Sequence, residues 1–121
     1  MSRRMIAGIA AAGVAILAAM PAQDARKIVA ANEKRFEAYR TDVASVLGQV
    51  IAARRLGYGM REIGLVQGTK SISTWIKTPD GQPAAAMTVS AVRTRLGPRR
   101  EQEVVEILLR EARTIEQAIR G

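Results

Sequence analysis

An unbroken apolar run, residues 5–20, follows Arg3 and Arg4 and restricts the fold more than any other feature of this chain. As a helix, these sixteen residues would rise about 24 Å, against roughly 30 Å for the hydrocarbon core of a bilayer. A run of this length without a charge predicts a membrane anchor, or a signal peptide that is removed after export. A buried core helix of a soluble protein is the third interpretation.

The charges beside the run predict its orientation. Arg3 and Arg4 favour a cytoplasmic N-terminus, so the rest of the chain is expected to face the periplasm or the exterior. Residues 1–22 are therefore predicted to be the anchor or signal peptide, and residues 23–121 a single small domain. The predicted location is the inner membrane with a periplasmic C-terminal domain, or the periplasm or exterior after signal cleavage. The predicted membrane contact is made through residues 5–20.

Residues 23–56 predict one long amphipathic helix that ends at Gly57. Apolar side chains recur along it at heptad spacing, which is typical of helix packing. The predicted packing positions are Val29, Phe36, Tyr39, Val43, Val46 and Val50. This stripe fits a coiled-coil partner, and hence a homo-oligomer or another protein, as well as it fits the core of the chain's own domain.

The region 60–97 changes from a helical period to a period of two, which predicts strands. Two strands are expected at Ser71–Thr78 and Met87–Arg93, and a shorter one at Glu62–Gln67. A Pro-Asp-Gly turn at residues 79–81 separates the first two, because proline presets its φ and glycine accepts a positive φ. These signals predict a three-stranded antiparallel meander.

The last predicted element is an amphipathic helix over residues 98–120, with Pro98 at its first position. The predicted fold class is therefore α+β. Its elements are an N-terminal hydrophobic helix, a long amphipathic helix, a small three-stranded antiparallel sheet and a C-terminal amphipathic helix.

Positive charge is concentrated between residues 54 and 100, which carry nine basic and two acidic side chains. This concentration favours an anionic partner such as anionic lipid, lipopolysaccharide or nucleic acid. The residues predicted to bind it are Arg54, Arg55, Arg61, Arg93 and Arg95. The alternative is that basic residues at the sheet edges deter aggregation.

Catalysis has little support in the sequence. The chain has no histidine and no cysteine, which removes the commonest general base and every disulfide or thiol nucleophile. Ser71 or Ser73 with Lys70 or Lys77 could form a serine–lysine pair, but the spacing has no specific signature. We therefore expect no enzymatic activity, no catalytic residues, no metal site and no cofactor.

The order of elements resembles that of a type IV pilin or pseudopilin, in which an apolar N-terminal helix leads into an amphipathic helix and a sheet. Gly8 matches the glycine that precedes the cleavage point in that family, but no acidic residue occurs before Asp24. The anchor and the following helix are also similar to the layout of a phage inner-membrane spanin. Either resemblance implies a structural subunit at a membrane.

A second resemblance concerns two short segments. Gly68–Ile76 resembles the turn and recognition helix of a helix-turn-helix, and Thr88–Leu96 resembles the opening of a sigma-factor recognition helix. They imply a DNA-binding protein. The function predicted first is a membrane-anchored or exported structural or binding component of a membrane-associated assembly. The helix-turn-helix-like protein is the alternative, followed by a pilin-like or spanin-like subunit.

Overall fold

A computed structural model describes residues 11–61 and 68–120 of the chain. Within these ranges, four helices precede the strands and one long helix follows them. In chain order they are α1 (Ala11–Ala19), α2 (Ala22–Ala31), α3 (Glu33–Ala38), α4 (Val43–Leu56), β1 (Gly59–Arg61), β2 (Thr69–Lys77), β3 (Pro83–Val92) and α5 (Pro98–Arg120). A single 3-10 turn, Arg93–Arg95, lies between β3 and α5.

The described strands form one antiparallel sheet in the order β1-β2-β3. The hairpin of β2 and β3 pairs Thr69 with Val92 and Ile76 with Ala85, and a bulge interrupts the register at Ile76/Lys77. Both strands overlap segments with period-two alternation, in which each side chain contacts only one layer. The third strand expected at residues 62–67 lies outside the described residues, and β1 ends before it.

The sheet separates two hydrophobic cores. On one face, α1 packs with the following three helices around a core of Val14, Leu17, Ala18, Ala25, Val29, Phe36, Val46, Val50 and Ala53. On the other face, α5 packs on β2 and β3 around Ile72, Leu96, Val104, Val105 and Leu108. The structure thus has three layers, with helices on both faces of the sheet.

The prediction of a hydrophobic membrane helix at the N-terminus is wrong. Seven of the nine residues in α1 are buried, and they contact the sheet and α4. Across residues 11–61 and 68–120, no helix combines the length and the apolar character that crossing a membrane requires. A short helix that is buried on all sides must be apolar on all sides, so its composition resembles that of an anchor. Residues 5–10 of the run lie outside the described residues.

The prediction of one long helix over residues 23–56 is also wrong, because the segment forms three helices. The first break is at Asn32, whose side-chain amide donates to the carbonyl of Ile28 at 2.8 Å. At the second break, Arg40 adopts a positive φ of 57°. The carboxylate of Asp42 then accepts a hydrogen bond from the backbone N–H of Ser45 at 2.7 Å and caps α4. This local capping sets the helix boundary although the heptad pattern continues across it.

Polar contacts fasten both ends of α5 to β2. Near the start of the helix, the ammonium group of Lys70 donates to the carbonyl of Leu96 at 3.0 Å and forms an ion pair with Glu101. Near the end, Arg113 donates to the carbonyl of Trp75 at 2.6 Å. The backbone N–H of Lys77 donates to the carboxylate of Glu116 at 2.7 Å.

Candidate functional site

Small polar side chains line the face of the sheet on which α1 lies. The antiparallel register places Arg61, Ser71 and Ser90 in one row across the three strands. It places Gly59, Ser73 and Thr88 in the next row. Directly opposed residues of antiparallel strands project from the same face, so these side chains meet although they are distant in sequence. We call Arg61, Ser71, Ser73, Thr88 and Ser90 the hydroxyl site.

The hydroxyl groups of this site form two cross-strand pairs. The Oγ atoms of Ser71 and Ser90 lie 2.8 Å apart, and either one can be the donor. Ser73 Oγ lies 2.9 Å from Thr88 Oγ1 and also donates to the carbonyl of Met87 at 3.2 Å. A hydroxyl has one hydrogen and two lone pairs, so the Ser71–Ser90 pair retains capacity for another polar group.

Burial across the site is graded. Ser73 is fully buried, Ser71 is half-buried, and Thr88 and Ser90 are exposed. Helix α1 packs closely on the β1 end of the second row. A Cβ added at Gly59 would lie 3.2 Å from Val14 Cγ1, which is a tight contact. Glycine therefore permits the close approach of α1, while the outer hydroxyls stay accessible.

Arg61 provides a positive charge at the β1 end of the first row. Its guanidinium is half-buried and donates to the side-chain carbonyl of Gln49 on α4. Burial lowers the pKa of Arg61 below its ordinary value, because desolvation disfavours the charged form. An arginine still keeps its charge near neutral pH. Within residues 11–61 and 68–120, no group of three or more acidic side chains is placed to hold a metal ion.

The five arginines predicted to bind an anionic partner do not form one surface. Arg54 donates to the carbonyl of Ala18 at 3.1 Å and to that of Met20 at 3.2 Å, so it caps the C-terminal end of α1. The other four are Arg55, exposed on the last turn of α4, Arg61 in the hydroxyl site, and Arg93 and Arg95, exposed in the 3-10 turn. The pairing of Arg61 with Ser71 and of Thr69 with Val92 puts Arg61, Arg93 and Arg95 at the same end of the sheet.

The comparison with protein families identifies the chain. The family described as "Bacterial transcriptional regulator IclR C-terminal" matches residues 3–117. The chain belongs to this family. Among curated proteins, none matches it significantly.

Solved structures share the IclR-family fold. The C-terminal domain of the E. coli transcriptional regulator KdgR has a TM-score of 0.81 and 23% identity, with 95% of this chain and 70% of that chain covered. The Thermotoga maritima IclR has a TM-score of 0.81 and 18% identity, with 94% and 47% covered. The Agobacterium tumefaciens repressor BlcR has a TM-score of 0.77 and 15% identity, with 93% and 47% covered. At these identities the similarity shows the fold, and the chain spans less than half the length of the last two proteins.

Membership of the IclR family overturns the functional prediction that ranked first. A component of a membrane-associated assembly is wrong, because the match to a transcriptional regulator family covers nearly the whole chain. The predicted membrane contact, signal peptide and inner-membrane or periplasmic location depended on the same anchor and are wrong with it. The pilin-like and spanin-like alternatives also required that anchor.

The DNA-binding alternative is closer to the family, but its two segments are not helices. Gly68 lies in a turn with a φ of 86°, and the residues after it form β2. The second segment forms the end of β3 and the 3-10 turn. In both segments, successive side chains point to opposite faces of the sheet and pack against different layers. This alternation explains why the segments form strands. The helix-turn-helix interpretation of these residues is therefore wrong.

The predicted packing positions lie within the chain's own core. The fully or nearly fully buried members are Val29, Phe36, Val46 and Val50. Val43 packs against the same core, and Tyr39 is 39% exposed. Of the two alternatives for the stripe, packing on the chain's own domain describes these contacts.

Sequence reasoning missed the hydroxyl site. The pattern draws attention to Ser71 and Ser73 only as candidate nucleophiles beside Lys70 or Lys77. The useful signal was the period-two spacing of hydroxyls in both strands of one hairpin. It indicates a shared face only when the register is known, because a slip of one residue reverses the face.

Proposed function

We propose that the chain is the effector-sensing domain of a bacterial transcriptional regulator, and that the hydroxyl site binds a small polar anion. The observation that carries the proposal is the row Arg61, Ser71 and Ser90, which combines a positive charge with two paired hydroxyls on an accessible face. Membership of the IclR family supports the regulatory role.

The chemistry of the site suits recognition of oxygen-rich ligands. Hydroxyl groups donate to carboxylate oxygens and also accept from ligand hydroxyls. Hydrogen bonds to a charged partner contribute about 1.5–3 kcal/mol, so a carboxylate gains more than a neutral analogue. Arg61 favours a negatively charged ligand further.

The same geometry favours binding without chemical turnover. Lys70 extends to the α5 face, where it contacts Leu96 and Glu101, whereas Ser71 and Ser73 project to the α1 face. Lys70 therefore cannot activate either serine, and Lys77 lies at the other end of β2. We infer a binding domain that is not an enzyme.

We infer how ligand binding would regulate transcription by analogy with the proteins that share the fold of this domain. KdgR and IclR are named as transcriptional regulators and BlcR as a repressor. In a regulator built on this domain, ligand binding would change the stability or association of the domain and thereby DNA occupancy. The coupling would take the form of a difference in ligand affinity between two states of the regulator.

The proposal is tested by ligand binding to the 121-residue chain. Short hydroxy- and oxo-carboxylic acids and their neutral amides are screened by thermal shift, and ligands that stabilise the chain are titrated by calorimetry. We expect at least one acid to bind more tightly than its amide. The double variant Ser71→Ala with Ser90→Ala should weaken binding by about 10-fold or more, because charged hydrogen bonds are lost.

Two further variants make this test specific. Arg61→Gln should reduce the preference for an acid over its amide. Thr114→Ala is the matched control, because it removes a hydroxyl that donates to Arg110 within α5. Equal affinity of the Ser71/Ser90 variant and the unmodified chain for every bound acid would place the ligand elsewhere and contradict the proposal.

A second candidate function is contact with a nucleic-acid backbone through the basic turn. Arg93 and Arg95 are exposed, and the nearby side chains of Arg99 and Arg100 are 97% and 60% exposed. Arginines at this density favour phosphate contacts. Arg93→Glu with Arg95→Glu should abolish the salt-dependent part of binding to duplex DNA, measured by fluorescence anisotropy at several salt concentrations. An unchanged salt slope would exclude this role, and Arg120→Glu serves as the control.

A further inference from the structure

The turn between β2 and β3 contains a pair of residues that can react with each other. Of the aspartates in the sequence, Asp80 is the one that a glycine follows. A backbone nitrogen can attack the side-chain carboxyl of the residue before it. Glycine hinders this attack least because it has no Cβ. The Asp80–Gly81 bond is therefore the position in the chain where aspartate isomerisation has the lowest steric barrier.

The reaction needs only the chain itself and water. The backbone nitrogen of Gly81 loses its proton and bonds to Cγ of Asp80. A carboxyl oxygen leaves as water, which closes a five-membered succinimide ring. Water then breaks one of the two C–N bonds of the ring. Cleavage at Cγ restores aspartate, whereas cleavage at the original peptide carbonyl gives isoaspartate, in which the main chain runs through Cβ and Cγ.

The structure holds the attacking nitrogen in a hydrogen bond. The N–H of Gly81 donates to the carbonyl of Thr78 at 2.9 Å and closes a β-turn over residues 78–81. The N–H of Thr78 donates in turn to the carbonyl of Gln82 at 2.8 Å. Gly81 has a φ of 84°, which a glycine adopts without strain. The turn must open before this nitrogen can lose its proton and bond to Cγ.

The side chain of Thr78 holds the carboxyl group in its unreactive charge state. Its Oγ1 donates to Oδ1 of Asp80, and this hydrogen bond is the main reason that the pKa of Asp80 is lowered. The same Oγ1 accepts from the N–H of Gln82 at 3.3 Å and lies 3.2 Å from its carbonyl, so the hydroxyl is fixed beside the turn. Ring closure needs a protonated carboxyl, because its oxygen leaves as water.

We propose that Asp80–Gly81 is a site of spontaneous aspartate isomerisation, and that Thr78 is the positioning residue that restrains it in the folded hairpin. Thr78 holds both reacting groups. Its carbonyl accepts from the N–H of Gly81, and its hydroxyl donates to the carboxylate of Asp80. The fold thus keeps the two groups apart in chemical state although they are neighbours in sequence.

Isoaspartate would alter the hairpin that builds the hydroxyl site. It adds one carbon atom to the main chain of the turn. The pairing of β2 with β3 begins beside this turn, at Lys77 and Pro83, and a bulge already interrupts the register at Ile76/Lys77. We expect the lengthened turn to weaken this end of the hairpin. The isomerised chain should therefore melt at a lower temperature than the unmodified chain.

The first test follows isoaspartate formation in the 121-residue chain during storage at neutral pH, with and without denaturant. Trypsin cuts after Lys77 and Arg93, and Asp80 is the only acidic residue of the released peptide 78–93. Liquid chromatography separates the isoaspartyl form of this peptide, and electron-transfer fragmentation identifies it. We expect the rate in the folded chain to be about 3-fold or more below the rate in denaturant, because the turn hydrogen bonds are then lost.

The second test changes the hydroxyl of Thr78. Thr78→Val keeps the side-chain shape and the turn carbonyl, and should raise the rate in the folded chain by about 3-fold or more. Thr78→Ser retains the hydroxyl and should keep the rate slow. Thr114→Val is the matched control, because the same substitution removes a hydroxyl that donates to Arg110 within α5. In denaturant all four chains should react at the same rate.

Asp42 is the internal reference for the choice of site. Its carboxylate also accepts a hydrogen bond, but Val43 follows it, and trypsin releases it in the peptide 41–54. Isoaspartate that forms at Asp42 as fast as at Asp80 would overturn the proposed site. Equal rates for folded Thr78→Val and the unmodified chain would overturn the role of Thr78. An increase that also occurs in Thr78→Ser, or in denaturant, would overturn that role as well.

Discussion

The two faces of the sheet are covered by helices of different kinds. On the α1 face, a short helix of almost purely apolar residues is enclosed between the strands and α4. On the α5 face, a long helix buries only one stripe and is fastened by charged side chains near each end. The difference shows that an enclosed helix is held on the sheet by packing. A helix with one solvent-exposed face can also be held by ion pairs and hydrogen bonds.

Truncation of buried side chains on the α1 face should cause the largest losses in the free energy of unfolding. Leu17 is 1% exposed in the α1 core, so Leu17→Ala should lower the free energy of unfolding by about 2–5 kcal/mol through lost burial and a cavity. Ile51, which is 64% exposed, provides the control, and Ile51→Ala should change it by less than about 0.5 kcal/mol. Chemical denaturation measures both values. Similar values for the two variants would mean that α1 is not part of the folded core.

Breaking the Lys70 contact tests the polar fastening of the α5 face. Lys70→Met should lower the free energy of unfolding by about 2–3 kcal/mol, because Glu101 and the carbonyl of Leu96 lose a charged partner. Lys77→Met, at a half-buried lysine of the same strand, is the control and should have a small effect. A double variant with Glu101→Gln should lose less than the sum of the two single changes. Full additivity would show that the ion pair does not stabilise α5.

The contact of Arg54 with α1 should have a smaller effect. Arg54→Met removes two hydrogen bonds to the C-terminal end of α1 and should lower the free energy of unfolding by about 1–2 kcal/mol. Arg55→Met is the neighbouring control and should be nearly neutral. If both substitutions destabilise the chain equally, the loss comes from helix α4 itself rather than from capping α1.

The smallest effect is expected from the cap of α4. The hydrogen bond from the backbone N–H of Ser45 lowers the pKa of Asp42 below its ordinary value of 3.8. Its stabilisation is therefore fully present above about pH 3.8 and is lost as the pH falls through the lowered value. Asp42→Asn keeps a capping side chain without the charge, so the melting temperature should depend less on pH between 2 and 5. An unchanged pH profile would show that the cap does not contribute.

The same comparison explains which elements a sequence can reveal. Period-two alternation locates β2 and β3, and a helical stripe locates α5, because each element separates polar from apolar side chains. Helix α1 has no such contrast, so its residues resemble a membrane segment. The division of the long heptad pattern depends on Arg40 and Asp42, whose local preferences compete with the pattern. The hydroxyl site depends on the strand register, which no single segment contains.

The pairing of Ser71 with Ser90 has one more consequence. Either oxygen can be the donor across their 2.8 Å contact, so both hydrogens can reverse together while every heavy atom stays in place. A ligand that accepts a hydrogen bond and a ligand that donates one would therefore meet the same arrangement of heavy atoms. The same pair could therefore bind a hydrogen-bond donor or an acceptor without any movement of the two strands.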